Sequence, residues 1–314
     1  MILILSPNLC LDRIVVVRDF AAGRIHRTET GSVLASGKGL NVARVARELG
    51  ARVTVIGVIG TDENGRAILR GARAHRISVR AVRVRGPSRV CTLIIDPGKT
   101  ETVINEAGPA RGAGVEAKLL NVLRSGLRHA RVLVLAGSLP AVLPEGFYAR
   151  AIRLARATGG VRTVLDAAGA PLRRGLAARP DFVKVNRAEL GDAVGEDLES
   201  DDAVFAAAES LRAQTGGQVL VTLGEAGAAL ITADGRWHLR TPTVRRVSAI
   251  GAGDSLTAGL VVGLLRGQST LDAARSGVAA AACDVTTLLP GTIDAAQTRA
   301  LISLVGVTAA GRLR

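Results

Sequence analysis

Short, largely apolar runs recur along the chain, at Ile2 to Leu5, Val53 to Val58, Val132 to Leu135, Thr163 to Asp166, Phe182 to Val185 and Val219 to Leu223. Runs of this kind, with no polar alternation, predict strands covered on both faces. Between them lie amphipathic stretches such as Asn41 to Leu49, Glu63 to Ala74 and Glu145 to Ala157. Strand–helix alternation predicts a mostly parallel sheet with right-handed crossovers, buried under helices. Two stretches break the alternation, Arg13 to about Ser36 and Val79 to Glu106. Both read as β without an intervening helix, with turns at Gly86-Pro87 and Asp96-Pro97-Gly98. They predict a small antiparallel sheet standing off the main body, placed as a lid over one end of a site. From Asp254 onward the pattern is helical, over Ser255 to Arg266, Leu271 to Cys283 and Ala295 to Val305.

Composition narrows this picture. The 314 residues suffice for one large α/β domain or two ordinary ones, and aromatics are only 2%, so the core must be aliphatic. No stretch has the apolar length of a membrane span, and the start reads as a first strand rather than a signal peptide. Cys10, Cys91 and Cys283 are far apart with no CxxC pair. Their spacing predicts neither a disulfide scaffold nor a structural zinc, and it fits a reducing cytoplasm. The net charge is +14, and only Lys38, Lys99, Lys118 and Lys184 of the basic residues are lysine. That balance fits an anionic partner, but the arginines are scattered as on solvated helix faces, without an aromatic stacking set for nucleic acid.

Four segments at strand–helix junctions carry candidate chemistry. Gly251-Ala252-Gly253-Asp254 opens an apolar helix. Its glycines allow a tight turn, the helix start offers free N–H groups to an anion, and Asp254 can accept a proton there. A glycine turn with an N-cap aspartate would read the same. Ser36-Gly37-Lys38-Gly39-Leu40-Asn41 permits close backbone approach, with Lys38 available to a phosphate and Asn41 to sugar hydroxyls; it lacks Walker A spacing. Thr222-Leu223-Gly224-Glu225-Ala226-Gly227 is a glycine-rich strand end suited to nucleotide phosphates, or an ordinary turn. Lys184-Val185-Asn186-Arg187-Ala188-Glu189 places Asn186 and Glu189 three apart, as oxygen ligands for Mg²⁺ through water or as a helix capping box.

Together these segments resemble the ribokinase-like superfamily, in its phosphofructokinase B-type branch of 1-phosphofructokinases and tagatose-6-phosphate kinases. The resemblance runs over nearly the whole chain. It includes GAGDS, GKGLNVARVARELG, the opening SPNLCLD with Asn8 and Asp12, GSLP at Gly137 to Pro140, DAAG at Asp166 to Gly169, and VTLGEAGA. It implies one three-layer α/β/α kinase domain over residues 1–314, with a lid at about 13–36 and 79–106. It further implies ATP and Mg²⁺ as cofactors. The exposed edge of the lid sheet, a liability if left unpaired, predicts a homodimer formed through it, and the cysteine pattern predicts a cytoplasmic location. The implied roles are Asp254 as catalytic base and Gly251, Ala252 and Gly253 as anion hole. Asp12, Gly37, Lys38, Asn41, Arg89, Ser138 and Arg27 would hold the phosphosugar. Lys184, Asn186, Thr222, Gly224, Glu225 and Gly227 would face ATP, with Asn186 and Glu189 toward Mg²⁺. Ser36 departs from the family's first loop glycine, and Leu9-Cys10-Leu11, Val185 and Ala249-Ile250 also depart from its pattern. The implied reaction is phosphorylation of a ketohexose phosphate. Fructose 1-phosphate stands first, ahead of tagatose 6-phosphate and fructose 6-phosphate. The alternatives are a kinase of an unphosphorylated sugar or nucleoside, a basic nucleic-acid-binding protein, and a sugar-phosphate-binding member without catalysis.

Overall fold

A computed structural model of the chain describes residues 1–28, 30–110 and 112–310. Its strands are β1 Ile2–Asn8, β2 Cys10–Val16, β3 Gly31–Ser36, β4 Val53–Gly60, β5 Ser78–Val84, β6 Arg89–Ile95, β7 Glu101–Asn105, β8 Val132–Ala136, β9 Arg162–Asp166, β10 Phe182–Asn186, β11 Gln218–Thr222, β12 Ala228–Ile231, β13 Arg236–Arg240 and β14 Gly306–Ala309. The helices are α1 Lys38–Glu48, α2 Glu63–Ala74, α3 Val115–Leu127, α4 Phe147–Thr158, α5 Gly169–Leu176, α6 Arg187–Val194, α7 Asp201–Thr215, α8 Ala252–Leu265, α9 Thr270–Asp284 and α10 Ala295–Ile302.

The main sheet runs β14-β13-β12-β11-β10-β9-β8-β1-β4-β5. It is parallel from β11 to β5 and antiparallel at the β12–β14 edge. Strand β1 shows why the apolar runs lack alternation. Ile2 and Ile4 face a core shared with α1, α2, α8, α9 and α10. Leu3 and Leu5 face a second core shared with helices α3 to α7. Successive side chains point to opposite faces, and helices cover both, so every position must be apolar. This is a three-layer α/β/α fold.

Strand order reverses between β1 and β8: the chain leaves β1 toward β4 and β5, then returns on the other side through β8, β9 and β10. A crevice outside the carboxyl ends of strands at such a reversal is the usual ligand site of open α/β sheets. Here β1 ends at Asn8 and β8 ends just before Gly137 and Ser138, and Asn8 Nδ2 donates to Ser138 Oγ at 3.0 Å across the reversal.

The second sheet, ordered β3-β2-β6-β7, is the lid. Its outer pairs are antiparallel, and its central pair β2–β6 is parallel. Its inner face carries Cys10, Ile14, Cys91, Leu93 and Ile95, packed against Ile250, Leu288 and Leu289 beside the start of α8. Val33, Val103 and Ile104 are exposed.

Some expectations need correction. Residues 79–84, read as lid, belong to β5, which pairs in parallel with β4 in the main sheet. The strand completes a crossover through α2, and only the absence of a helix between β5 and β6 made it look like part of the lid. The helix expected to run to Val305 stops at Ile302, and Gly306–Ala309 forms β14 against β13. Helices α3, α5 and α7 and the β12–β14 edge had no expectation.

Helix α8, which carries Asp254, is packed unusually close to α9. A Cβ on Gly259 would lie 2.5 Å from Ser276 O and 2.7 Å from Gly277 Cα. Backbone on that side cannot yield as a side chain could. Gly259→Ala is therefore expected to lower unfolding free energy by about 1–3 kcal/mol, measured by urea denaturation; an unchanged midpoint would contradict the close packing.

Candidate active site

Three elements converge at the carboxyl ends of the parallel strands. Gly251 caps α8 in the left-handed region at φ 96°, and a Cβ there would meet Pro290 and Gly291 at 2.7–2.8 Å. Only glycine fits that turn without shifting the neighbouring loop. Asp254 stands in the first helical turn and is buried. Its Oδ2 accepts from Asn41 Nδ2 at 2.9 Å, which ties α8 to α1.

Asn41 is itself held in orientation. Its Oδ1 accepts from Ser36 Oγ at 3.0 Å and from Arg44 Nη1 at 3.3 Å, leaving the amide N–H to Asp254. Arg44 is anchored by carbonyls, with Nη1 on Pro290 O at 2.7 Å and Nη2 on Ala35 O at 2.5 Å. Ser36, which departs from the family's glycine, thus supplies a hydroxyl that fixes the amide's orientation. Gly37 makes the turn into α1 at φ 98°.

Beneath the anion nest lies a buried charge cluster. Asp166, at the end of β9, is fully buried. Its Oδ1 is 2.8 Å from Lys38 Nζ, its Oδ2 is 3.3 Å from Lys184 Nζ, and Oδ2 also accepts from Thr257 Oγ1 at 2.9 Å. Burial opposes its ionisation, but the two ammonium groups and the hydroxyl outweigh burial and hold its pKa down at about 2. Burial likewise opposes the charge on Lys38, and Asp166, Glu189 and Asp254 outweigh it and raise its pKa. Asp254 goes the other way. Burial, aided by the nearby Asp166 charge, pushes its pKa up to about 6 against the pull of Lys38. Two aspartates close enough to feel one another thus have opposite fates: one is a permanent counter-ion and the other titrates near neutrality. Lys184 Nζ reaches the nest itself, since a Cβ on Gly253 would sit 3.0 Å from it.

On the lid side, Asp12 is buried and its Oδ1 accepts from Cys10 Sγ at 3.2 Å. Arg89 Nη1 is 3.4 Å from Ser138 Oγ, and its Nη2 donates to Asn105 Oδ1 at 2.6 Å. Arg89 therefore meets the Asn8–Ser138 pair at the strand reversal. Lys38 Nζ is held by Asp166 and lies 3.7 Å from Glu189 Oε1. Arg27 lies exposed between β2 and β3, with no bonding partner among the described residues. The lid is also tied to the nest: Glu101 Oε1 accepts from the Ala249 N–H at 2.8 Å, and Arg246 bridges Glu101 and Glu225.

Asn186 and Glu189 form a reciprocal capping box at α6. Glu189 N–H donates to Asn186 Oδ1, and Asn186 N–H donates to Glu189 Oε2, each at 2.8 Å. Glu189 Oε1 stays outside the box, 3.7 Å from Lys38 Nζ. Alongside opens a cavity of about 840 Å³. Thr222, Gly224, Glu225 and Gly227 line it, Leu223, Val244 and Val278 give it apolar walls, and Gly253 closes its inner end.

A carboxylate at a helix-start nest, a lysine pair on a buried aspartate and an adjoining half-apolar cavity are the parts of a phosphotransferase on a ribokinase-like fold. The family model for pfkB family carbohydrate kinases matches residues 6–298. The chain belongs to the pfkB family and is an ATP-dependent kinase of that family. It is 36% identical over 279 residues to the 1-phosphofructokinase of Rhodobacter capsulatus, covering 87% of each chain. It is 31% identical over 305 residues to the 1-phosphofructokinase of Escherichia coli strain K12, covering 96% of each. A Thermotoga maritima crystal structure described as a possible 1-phosphofructokinase superposes with a TM-score of 0.91 at 26% identity, covering 99% of this chain and 100% of the other. Among the described residues no helix is long and apolar enough to cross a membrane.

Sequence reading missed Asp166 as counter-ion, along with Thr257, Arg44 and Glu101. Asp166 did leave a signal, a carboxylate closing the apolar run Thr163 to Leu165.

Removing the carboxylate should abolish turnover while sparing the fold. Asp254→Asn is expected to lower kcat by at least about 10²-fold with little change in KM. A raised carboxylate pKa means that the native state binds the proton more tightly than the unfolded chain does. The ionised form therefore costs stability above the unfolded value, and the variant should melt no lower than the wild type at pH 7. In the wild type, kcat should fall as pH drops below about 6. Near-wild-type turnover of the variant would remove Asp254 from the role of base.

Proposed function

We propose that the chain transfers the γ-phosphoryl group of ATP to the free primary hydroxyl of a ketohexose phosphate, with fructose 1-phosphate the first substrate to try. The observation that carries this is Asp254: a buried carboxylate, oriented by Asn41, whose pKa near 6 suits a general base at the mouth of an anion nest. Two relatives above 30% identity, each named 1-phosphofructokinase, support the choice of sugar.

In this reading Asp12, Asn8 and Ser138 hold the sugar under the lid. Arg89 takes the phosphate that does not react, from its place on β6 beside Ser138. Asp254 accepts the proton of the attacking hydroxyl. Lys38 and Lys184, on either side of Asp166, stand where charge gathers on the moving phosphoryl group, with the Gly253 amide between them and the hydroxyl. This differs from the sequence-based expectation for Lys38, which put it on the resident phosphate. The cavity from Thr222 to Gly253 is the seat for ATP, its apolar walls against the base and its glycine end toward the phosphates.

The donor set fits Mg²⁺ held through water. Glu189 Oε1 is free of the capping box and lies 3.7 Å from Lys38 Nζ, while Asn186 Oδ1 is already engaged, so Glu189 is the main holder. When bound, the ion supplies charge neutralisation on the phosphates. Exposed Val33, Val103 and Ile104 on the lid favour a homodimer formed through that sheet. Three free cysteines favour a cytoplasmic setting.

The test is an ADP-release assay across fructose 1-phosphate, tagatose 6-phosphate, fructose 6-phosphate, fructose and ribose. Fructose 1-phosphate is expected to give the highest kcat/KM. Faster turnover of an unphosphorylated sugar would overturn the reading. Arg89→Ala is expected to raise KM for the phosphosugar at least about tenfold with kcat largely kept, and an unchanged KM would remove Arg89 from the site.

A further inference from the structure

Two cysteines separated by eighty residues of sequence meet on the inner face of the lid. Strands β2 and β6 pair in parallel, with Cys10 opposite Arg89 and Asp12 opposite Cys91. Side chains alternate along a strand, so positions 10 and 12 share a face, as do 89 and 91. That face packs toward Ile250, Leu288 and Leu289 rather than toward solvent. Cys10 Sγ, Asp12 carboxylate oxygen and Cys91 Sγ all lie within 4.8 Å of one another, and all three residues are buried. Neither thiol is in a disulfide.

We propose that Cys10, Cys91 and Asp12 form a binding site for a thiophilic divalent cation, of the Zn²⁺ or Cd²⁺ class, and that occupancy withdraws Asp12 from the sugar. The chemistry of the donors selects the ion. Two sulfurs and one carboxylate suit a borderline or soft d¹⁰ ion, whereas Mg²⁺ and Ca²⁺ prefer an all-oxygen shell. Ligand bonds to zinc are about 2.0–2.3 Å, so the donors must draw together by roughly an ångström or less, which χ1 adjustment of two cysteines provides. Three protein ligands leave a fourth position for water.

Arg89, opposite Cys10 in the register, is a positive neighbour that a cation must tolerate, so the site is suited to reversible inhibition rather than permanent occupancy. Asp12 cannot serve a metal and a sugar hydroxyl with the same lone pairs. The inhibitory half of the proposal rests on the assignment of Asp12 to the sugar. The binding half rests on the cluster alone.

Cadmium chloride and zinc chloride, titrated separately into reduced full-length protein, test both halves. Binding is read from the ultraviolet sulfur-to-cadmium charge-transfer band and from metal retained after gel filtration. One Cd²⁺ per chain is expected, lost in Cys10→Ser and in Cys91→Ser, kept in Cys283→Ser and undisturbed by excess Mg²⁺. Circular dichroism and metal-free turnover of the two serine variants verify their fold. With Zn²⁺ present at saturating Mg²⁺, KM for the ketohexose phosphate should rise at least about fivefold while KM for ATP holds, and Cys91→Ser should escape the effect. A band of equal size in a folded Cys10→Ser or Cys91→Ser variant would overturn the metal site. A cysteine-dependent band without any change in KM would uphold the site and instead remove Asp12 from sugar binding.

Discussion

The structure depends on one buried carboxylate that is never allowed to be alone. Asp166 ends a central strand with no solvent exposure, and it is ionised only because Lys38, Lys184 and Thr257 reach it from three other elements. Each partner alone would be costly to bury. Together they bring β9, β10, α1 and α8 to a single point, and loss of Asp166 would leave two ammonium groups without their shared counter-ion, at a cost of about 3–5 kcal/mol. The same cluster sets the chemistry around it. Asp166 raises the pKa of Lys38, and its negative field helps to raise that of Asp254.

Around this centre the fold uses absence of side chains as much as their presence. Gly251 and Gly37 let two backbone turns approach the cleft, and Gly253 leaves room for the Lys184 ammonium at the nest. Gly259 and Gly277 press α8 against α9, so the helix carrying Asp254 has little freedom to drift. The lid is joined to the same region through the Glu101–Ala249 hydrogen bond, which ties β7 to the residues just before the turn into α8.

Much of this was legible in the sequence, for definable reasons. Strands such as β1 and β8 are covered on both faces, which leaves an unbroken apolar run that periodicity detects. The glycine turns at Gly37 and Gly251 are local, and their residue types announce them. Strand β12 escaped because it is only four residues long, β13 and β14 because they are short and half-polar, and β5 was misplaced because the chain passes from it into the lid without a helix. The Asp166 cluster and the Cys10–Cys91 pair escaped for a different reason. They are made by contacts between distant segments, and no spacing along the chain encodes strand register. Ser36 shows the converse. In the sequence it is only a departure from a glycine, whereas its hydroxyl fixes the orientation of Asn41.

The most direct test of the central claim is the carboxyl titration of Asp254, followed by ¹³C NMR in the wild type and in Asp166→Asn. With Asp166 ionised, the Asp254 titration is expected near 6. With the asparagine, the two lysines lose their counter-ion and lie beside Asp254 uncompensated, so its pKa should fall by at least about one unit. A pKa that stays the same or rises in a folded Asp166→Asn protein would contradict the account.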